Sequence, residues 1–496
     1  MYGYVGRVLI GHSYFLKYDA KQTRKMKPYP PLSTLITASV LRDSGFEVSL
    51  FDAMLSDGEA EFEELVRRLR PPIVGILEDN FNFLTKMCTT RMREACLEMI
   101  RMAKAGGSRV CVNGSDAADH AELYLEAGAD AVIVGETELT FRQLAEAWSR
   151  EESPDLSTIP GLILRRVSGR HGPSLAVLQS GAALGGDLLR TATRPFVEDL
   201  DDLPLPAWDL VDVGRYREAW TKAHGRFSWN LITTRGCPFK CNWCAKPLYG
   251  TRYAQRSPAS VAEELRLLKA SVAPDHAWFA DDIFGLTARW IESFADEVAQ
   301  RDARIPFHMQ SRVDLMRPPA VAALAAAGAE EVWLGVESGA QSILDRMDKG
   351  TTLEEIRSAT RMLREHGIRA AWFLQLGYTG ETWEDILLTR DLVRDERPDD
   401  IGVSVSYPLP GTVFHDRVKE HLAGQTNWRE SDDLLMMFKG TYTSPFYKKI
   451  RDLLHDEALV VQLPDGPEAG ERRLALDEAW REAERTEAEF RAVAVS

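Results

Sequence analysis

Three cysteines in the run LITTRGCPFKCNWC, Leu231 to Cys244, carry the spacing most suggestive of chemistry: Cys237, Cys241 and Cys244 follow the pattern Cys-x3-Cys-x2-Cys. Thiolates are soft ligands suited to zinc or iron–sulfur clusters, and cysteines this close on one loop bend round a polynuclear centre at little cost in chain entropy. A four-iron cube takes four ligands, so three cysteines leave one iron open to chemistry. A structural zinc site closes with a fourth Cys or His, and the nearest histidine, His224, lies before the run. Nucleophilic catalysis asks for one low-pKa thiol with a basic partner rather than three clustered thiols. Leu231, Ile232, Thr233 and Thr234 read as a short buried strand that Gly236 and Pro238 break into a loop, so the sulfurs stand at a strand's C-terminal end.

The elements that position such a loop are legible as alternation. From Trp229 to Gly411 six strand-like runs recur, Asn230–Thr234, Ala277–Ala280, Pro306–Ser311, Glu331–Val336, Arg369–Leu376 and Ile401–Tyr407, with helical stretches such as Ala259–Leu268 and Ala320–Ala327 between them. This predicts a parallel β/α barrel with fewer strands than the usual eight and a site at its C-terminal mouth. Polar residues ending the runs converge there: Asp281, Asp282, Gln310, Arg312, Glu337, Ser338, Gly377, Tyr378, Ser404 and Ser406. For Arg312 and Glu337 an interstrand salt bridge is the plain structural alternative.

The first 145 residues alternate likewise. Val8–Gly11, Val48–Phe51, Ile73–Leu77, Val110–Val112 and Ala131–Val134 read as strands, and Leu32, Leu35, Ile36, Val40 and Leu41 show helical spacing. A doubly wound, Rossmann-like parallel sheet follows, with its ligand beyond the strands' C-terminal ends. Glu78, Asp79, Asn80, Asn113, Gly114, Ser115, Gly135 and Glu136 fall there. Glycine lets a bulky cofactor approach the backbone, although Asn-Gly and Gly-Glu are also ordinary turn residues. No G-x-G-x-x-G follows the first strand, which argues against a dinucleotide.

The domains expected are therefore 1–145, a connector 146–225, the barrel 226–415 and a C-terminal, mainly α cap 416–496. In the connector, VSGRHG reads as a turn joining Leu162–Leu164 to Leu175–Leu178 in a small hairpin, and FVEDLDDLPLPAWDLVD as an extended strap. LLMMFKGTYTSPFYKKIRDLLHDEALVV ends in an amphipathic helix expected over the barrel mouth, with Tyr442, Phe446 and Tyr447 as candidate pocket residues or, more commonly for aromatics, core. The final charged segment reads as a peripheral helix.

Composition bounds these readings. The 496 residues are too many for one compact core, and 45% hydrophobic with 27% charged residues is a soluble globular balance. A formal charge of −15 argues against nucleic acid as a main partner. The N-terminus has no secretory pattern and no run reaches a membrane span, so a cytoplasmic protein is expected. Cys88, Cys96 and Cys111 form no framework and read as small buried hydrophobes.

The cysteine spacing, with Trp243 just before the last sulfur, resembles the signature of the radical S-adenosylmethionine (SAM) enzymes. The resemblance implies a [4Fe–4S] cluster on Cys237, Cys241 and Cys244, whose open iron chelates SAM for reductive cleavage to a 5′-deoxyadenosyl radical. WFADDIFG, MQSRVD, LGVESGAQSILDRMDKG, LQLGYTGETWED and YPLPGT are similar, in order and spacing, to barrel strands of the cobalamin-dependent subfamily. KPYPPLSTLITASVLRDSGFEVSLFDA and NGSDAADHAELYLEAGADAVIVGETE resemble the cobalamin-binding domain that precedes the barrel there. By this likeness Phe239, Trp243, Ala280, Asp281, Asp282, Gln310, Arg312, Glu337, Gly377 and Tyr378 contact SAM. Ala280–Asp282 replace a Gly-Gly-Glu turn at the SAM ammonium, Arg312 pairs bidentately with its carboxylate, and Glu337 accepts from the ribose hydroxyls. Pro30, Pro31, Leu32, Asn80, Asn113, Gly114, Ser115, Gly135 and Glu136 contact cobalamin. The chain departs from the Asp-x-His-x-x-Gly pattern that supplies an axial histidine, since His12 follows the first strand without that frame; cobalt with no protein ligand on its lower face is expected. SDDLLMMFKGTY and the helix after it are similar to relatives of the anaerobic magnesium-protoporphyrin monomethyl ester cyclase.

The reaction so implied is methylation of an unactivated carbon on a small molecule, with flavodoxin or ferredoxin as electron donor. Oxidative closure or rearrangement of a porphyrin-like ring is the alternative. A tRNA methylthiotransferase would bring a second set of cluster cysteines and a basic C-terminal module, whereas this C-terminus is acidic. A non-catalytic corrinoid-binding protein would have no use for the intact cysteine triplet.

Overall fold

The computed structural model describes residues 5–79, 81, 89–166, 187–244, 249, 251–422 and 434–492. They divide into two compact units, Met1–Gly236 with Pro247–Ser257, and Cys237–Lys246 with Pro258–Thr426 and Asp432–Ser496.

The first unit is built on a seven-stranded sheet: β1 (Gly6–Gly11), β2 (Phe46–Phe51), β3 (Ile73–Leu77), β4 (Arg109–Asn113), β5 (Ala131–Ile133), β6 (Leu162–Arg165) and β7 (Leu188–Arg190). Their order is β2-β1-β3-β4-β5-β6-β7. β1 to β5 pair in parallel. Strand residues alternate between two apolar layers, Leu9, Val74, Ile76, Val110 and Val112 on one face and Val8, Ile10, Ile73, Cys111 and Ile133 on the other. A sheet covered on both faces needs such two-sided apolar strands. Cys96 and Cys111 lie in these layers as buried thiols, and burial pushes both well above the usual thiol range; Cys88 lies outside the described residues.

Three details differ from the sequence expectation. The connector hairpin joins the sheet, because β6 pairs antiparallel with β5 and closes an edge that would otherwise be open. Its partner is β7, Leu188–Arg190, whereas Leu175–Leu178 and the turn from Val167 lie outside the described residues. The strap is not extended throughout: it carries single 3₁₀ turns at Leu200–Asp202 and Trp208–Leu210 and then a helix, Val213–His224. That helix starts on Asp212, whose carboxylate accepts from the Arg215 N–H at 3.3 Å, and buries Tyr216 and Trp220.

The second sheet has six strands, β8 (Ser228–Leu231), β11 (His276–Phe279), β12 (Phe307–Ser311), β13 (Ala329–Glu337), β14 (Arg369–Leu376) and β15 (Asp400–Val405), in the order β15-β14-β13-β12-β11-β8. Strands β11 to β15 pair in parallel, with helices such as Pro258–Ser271 and Pro318–Ala327 between them. The run Asn230–Thr234 is not one strand. β8 stops at Leu231, and β9 (Thr234–Arg235) pairs antiparallel with β10 (Ala254–Gln255). Arg256 explains the break: its side chain donates to the Ile232 carbonyl at 3.0 Å and its N–H to the Thr233 carbonyl at 2.8 Å, taking the acceptors a longer strand would use.

The C-terminal part is helical, Ser444–Val460 and Pro467–Thr486. Tyr442, Phe446 and Tyr447 do not line an open pocket. They are fully buried and packed on one another, with ring centroids of Tyr442 and Phe446 4.4 Å apart. Among the described residues no helix is long and apolar enough to cross a membrane.

Candidate functional site

The three cysteines lie on one loop, all as half-exposed thiols. Gly236 opens it at φ +77, where a Cβ would come within 2.0 Å of the Arg252 carbonyl oxygen, so no other residue fits. Between the second and third cysteines, Asn242 uses every polar group it has. Its N–H donates to the Met347 carbonyl at 3.0 Å and its amide to the Arg346 carbonyl and the Asp348 carboxylate at 2.8 Å. Its side-chain oxygen accepts from the Tyr378 hydroxyl at 2.8 Å, and its carbonyl from the Phe414 N–H at 3.0 Å.

Among the described residues no three His, Cys, Asp or Glu side chains converge on a single-ion site, where structural zinc takes four closed ligands. Cluster thiolates stand on different irons and need no common centre. The donor set, held on a rigid loop beside a cation, fits a [4Fe–4S] cluster. That cation is Arg312, whose Nη1 lies 3.6 Å from Cys241 Sγ and whose guanidinium sits 3.8 Å over the Phe239 ring. The indole N–H of Trp243 is buried and has no hydrogen-bond partner among the described residues.

The other residues expected at SAM end the same strands, but several are already engaged. Arg312 does not offer its whole fork: Nε and Nη2 hold Asp314 at 2.9 and 3.3 Å, and Nη2 also donates to the Lys349 carbonyl at 2.8 Å. Only its Nη1 edge turns to the sulfur. Glu337 pairs with Lys349, Nζ to Oε1 2.7 Å, both nearly buried. Ala280 and Asp281 are buried, Asp282 is half-buried, and Gln310 donates to the Asp281 carbonyl. Gly377, at φ +76, donates its N–H to Glu381 at 2.7 Å, and Tyr378 stacks on Phe414.

Glu381 was not anticipated. Burial pushes its carboxyl from 4.5 up to about 8, against the opposing Gly377 N–H. The folded state therefore binds the proton more tightly than the unfolded chain, so the stability present below pH 4.5 is lost progressively as pH rises through about 8. Glu381→Gln removes that dependence. Its melting temperature relative to wild type is expected to rise from about pH 5 to about pH 8, and a pH-independent difference would contradict the assignment.

In the first unit the strand order turns at β1 and β3, the place where an open α/β sheet leaves a ligand crevice at its C-terminal edge. Pro30, Pro31 and Leu32 are buried at the start of the helix Leu32–Asp43, and Pro30 accepts from the Asn230 amide at 3.0 Å. Asn113 ties β4 to the loop after β5, donating to the Ile133 and Gly135 carbonyls at 3.1 and 3.2 Å and accepting from Thr137 at 2.7 Å. Gly114 leaves no room for a Cβ, which would meet Glu78 Cγ at 2.9 Å, whereas Gly135, at φ +83, faces open space. Ser115 begins the helix Ser115–Asp119. Asn80 lies outside the described residues. Glu136 is taken by Arg235, at 2.7 Å. His12 is buried with Nε2 3.1 Å from Asp52, and its Nδ1 has no partner among the described residues. The glycines and the small strand-end residues fit a bulky planar ligand, while Asn113 and Glu136 serve to shape the loops.

Asn242, Lys349, Arg235 and Glu381 escaped sequence reasoning. For Asn242 its place inside the cysteine motif was an available signal; the other three gain meaning only from partners brought by the fold.

The sequence matches the radical SAM superfamily over residues 231–393 and the B12 binding domain over residues 27–145. The chain belongs to the radical SAM enzymes that carry a B12-binding domain. Its cofactors are a [4Fe–4S] cluster, SAM and cobalamin. It is 26% identical over 408 residues to an uncharacterised methyltransferase of Pyrococcus horikoshii, covering 81% of each chain. It is 25% identical to the anaerobic magnesium-protoporphyrin IX monomethyl ester cyclase of Rubrivivax gelatinosus, over 79% of this chain and 66% of that one. Its fold is similar to that of the radical SAM methyltransferase TsrM of Kitasatospora setae with cobalamin and a [4Fe–4S] cluster bound, at a TM-score of 0.69 and 19% identity over 97% of this chain and 99% of that one.

Proposed function

We propose that this enzyme methylates an unactivated carbon of a small-molecule substrate. When bound, the cluster and SAM supply a hydrogen-abstracting 5′-deoxyadenosyl radical and cobalamin supplies the methyl group. Residues 226–415 hold the first two and residues 1–145 the third. Cys237, Cys241 and Cys244 bind the iron, and Arg312 Nη1 draws the SAM carboxylate to the Cys241 side. The Asp281 and Asp282 carboxylates accept from the SAM ammonium, while Gly377 and Tyr378 give the nucleoside a close backbone wall. Pro30–Leu32, Gly114, Ser115 and Gly135 make room for the corrin. The observation carrying this reading is a thiol triplet beside a guanidinium on one loop, in a chain similar over 81% of its length to a protein named as a methyltransferase. The extended likeness to the cyclase supports ring closure as the second reading. We place the protein in the cytoplasm with a flavodoxin or ferredoxin as reductant, because thiolate clusters need reducing surroundings.

Anaerobic protein loaded with iron, sulfide and cobalamin, then given SAM and a reductant, tests this. S-adenosylhomocysteine together with 5′-deoxyadenosine is expected. 5′-Deoxyadenosine alone favours ring chemistry, and neither product overturns the proposal.

A further inference from the structure

We propose that Lys349 is a positioning residue of the SAM site: its ammonium aims the Glu337 carboxylate and, with Arg312, sets a second cation on the Cys241 side of the cluster loop. The inference deepens the proposed function and rests on SAM binding in this barrel.

Four observations carry it. The register of β13 against β14 shifts between Gly335 and Glu337, and Glu337 stands at φ +66, a left-handed conformation that is strained for a non-glycine residue. Such bulges re-aim a side chain beside active sites. Lys349 Nζ lies 2.7 Å from Glu337 Oε1 with both side chains 6% exposed, so the strained residue is held by a nearly buried ion pair. Gly335 makes the pair possible: a Cβ there would come within 2.6 Å of Lys349 Nζ and 2.9 Å of Glu337 Oε1. The turn bearing Lys349 is itself tied to the cysteine loop, through the Asn242 hydrogen bonds to residues 346–348 and through Arg312 Nη2 to the Lys349 carbonyl.

A carboxylate accepts at two oxygens, and Lys349 takes one of them. The other is then oriented for the vicinal hydroxyls of a ribose, which a rotating glutamate would meet less often. Arg312 bridges the Lys349 carbonyl and Cys241 Sγ, at 2.8 and 3.6 Å, which sets the lysine's turn on the same side of the loop as that sulfur. A fixed positive charge near the sulfurs favours the more negative, reduced state of a cluster and so raises its potential.

The test uses full-length, cluster-loaded protein, with Lys349→Met, Lys349→Arg and Glu337→Gln. Equilibrium dialysis measures affinity for SAM, and potentiometric titration followed by electron paramagnetic resonance measures the cluster midpoint. Lys349→Met is expected to retain iron, bind SAM at least tenfold more weakly and shift the midpoint negative, with Lys349→Arg recovering most of both. Added to Glu337→Gln, Lys349→Met should cost little further affinity, because the lysine acts through the glutamate. If Lys349→Met fails to fold, the double variant Glu337→Gln/Lys349→Gln decides: affinity equal to that of Glu337→Gln supports the proposal. SAM affinity within twofold of wild type in Lys349→Met with the cluster intact, or affinity in the double variant well below that of Glu337→Gln, overturns it. Failure of the wild-type protein to bind SAM would instead reject the underlying reading of the site.

Discussion

Alanine at Cys237, Cys241 or Cys244 is expected to give folded protein that holds no stable [4Fe–4S] cluster and cleaves no SAM. Loss of a residue that merely orients a metal ligand commonly costs about 10–100-fold in affinity, and loss of the ligand itself costs more. Folding should hardly notice. The three side chains are half-exposed on a loop whose shape comes from Gly236 and Asn242. Iron content and the visible absorption of the reconstituted protein should collapse while circular dichroism and melting temperature stay near wild type. A variant that keeps both its colour and 5′-deoxyadenosine production would remove the basis of the assignment.

Arg235→Met is expected to destabilise the protein by about 3–5 kcal/mol, the range for stripping one partner from a buried ionic group. Arg235 is 2% exposed at its side chain, lies 2.7 Å from Glu136 and 2.6 Å from Glu138, and has the stacked pair Phe81 and Tyr249 beside it. Burial pushes the Glu136 carboxyl up, with Arg235 opposing and Glu138 adding to the rise. Without the guanidinium both carboxylates must protonate or stay buried unpaired, so the deficit should shrink as pH falls and grow toward neutrality. Arg235→Lys should recover only part, because one ammonium cannot match two carboxylates as a planar fork does. Adding Glu136→Gln and Glu138→Gln to Arg235→Met should restore much of the loss, since no buried charge remains. Urea unfolding as a function of pH reads all of this, and a deficit under about 1 kcal/mol at neutral pH would show that the triad contributes little. Because Arg235 precedes Cys237 by two residues, the same variant should also load iron more slowly.

What the sequence disclosed was local. Three cysteines within eight residues, apolar runs with turn residues at their ends, and the absence of G-x-G-x-x-G all lie within short windows. The parallel sheet of the first unit and the six-stranded second sheet follow from those runs. The misread features were pairings over distance. Lys349 meets Glu337 across a bulge, Tyr378 reaches Asn242 across 136 residues, and β6 finds β5 only because an edge stands open. Arg312 is different: Asp314 stands two residues on, and that Arg-x-Asp spacing could have warned that most of the guanidinium is occupied. The break after Leu231 could not be foreseen, because it depends on Arg256 arriving from beyond the cysteine loop. For Tyr442, Phe446 and Tyr447 the sequence left pocket and core open with core the commoner, since a stripe of rings is compatible with either, and the structure packs them as core.

The saturated bonding of Asn242 has a consequence for assembly. Its backbone and side chain are committed to residues 346–348, 378 and 414, so the shape of the cradle rests on hydrogen bonds of the protein itself. Little ordering entropy is left to oppose maturation. Air-bleached protein given fresh iron and sulfide is therefore expected to recover its visible absorption without being refolded.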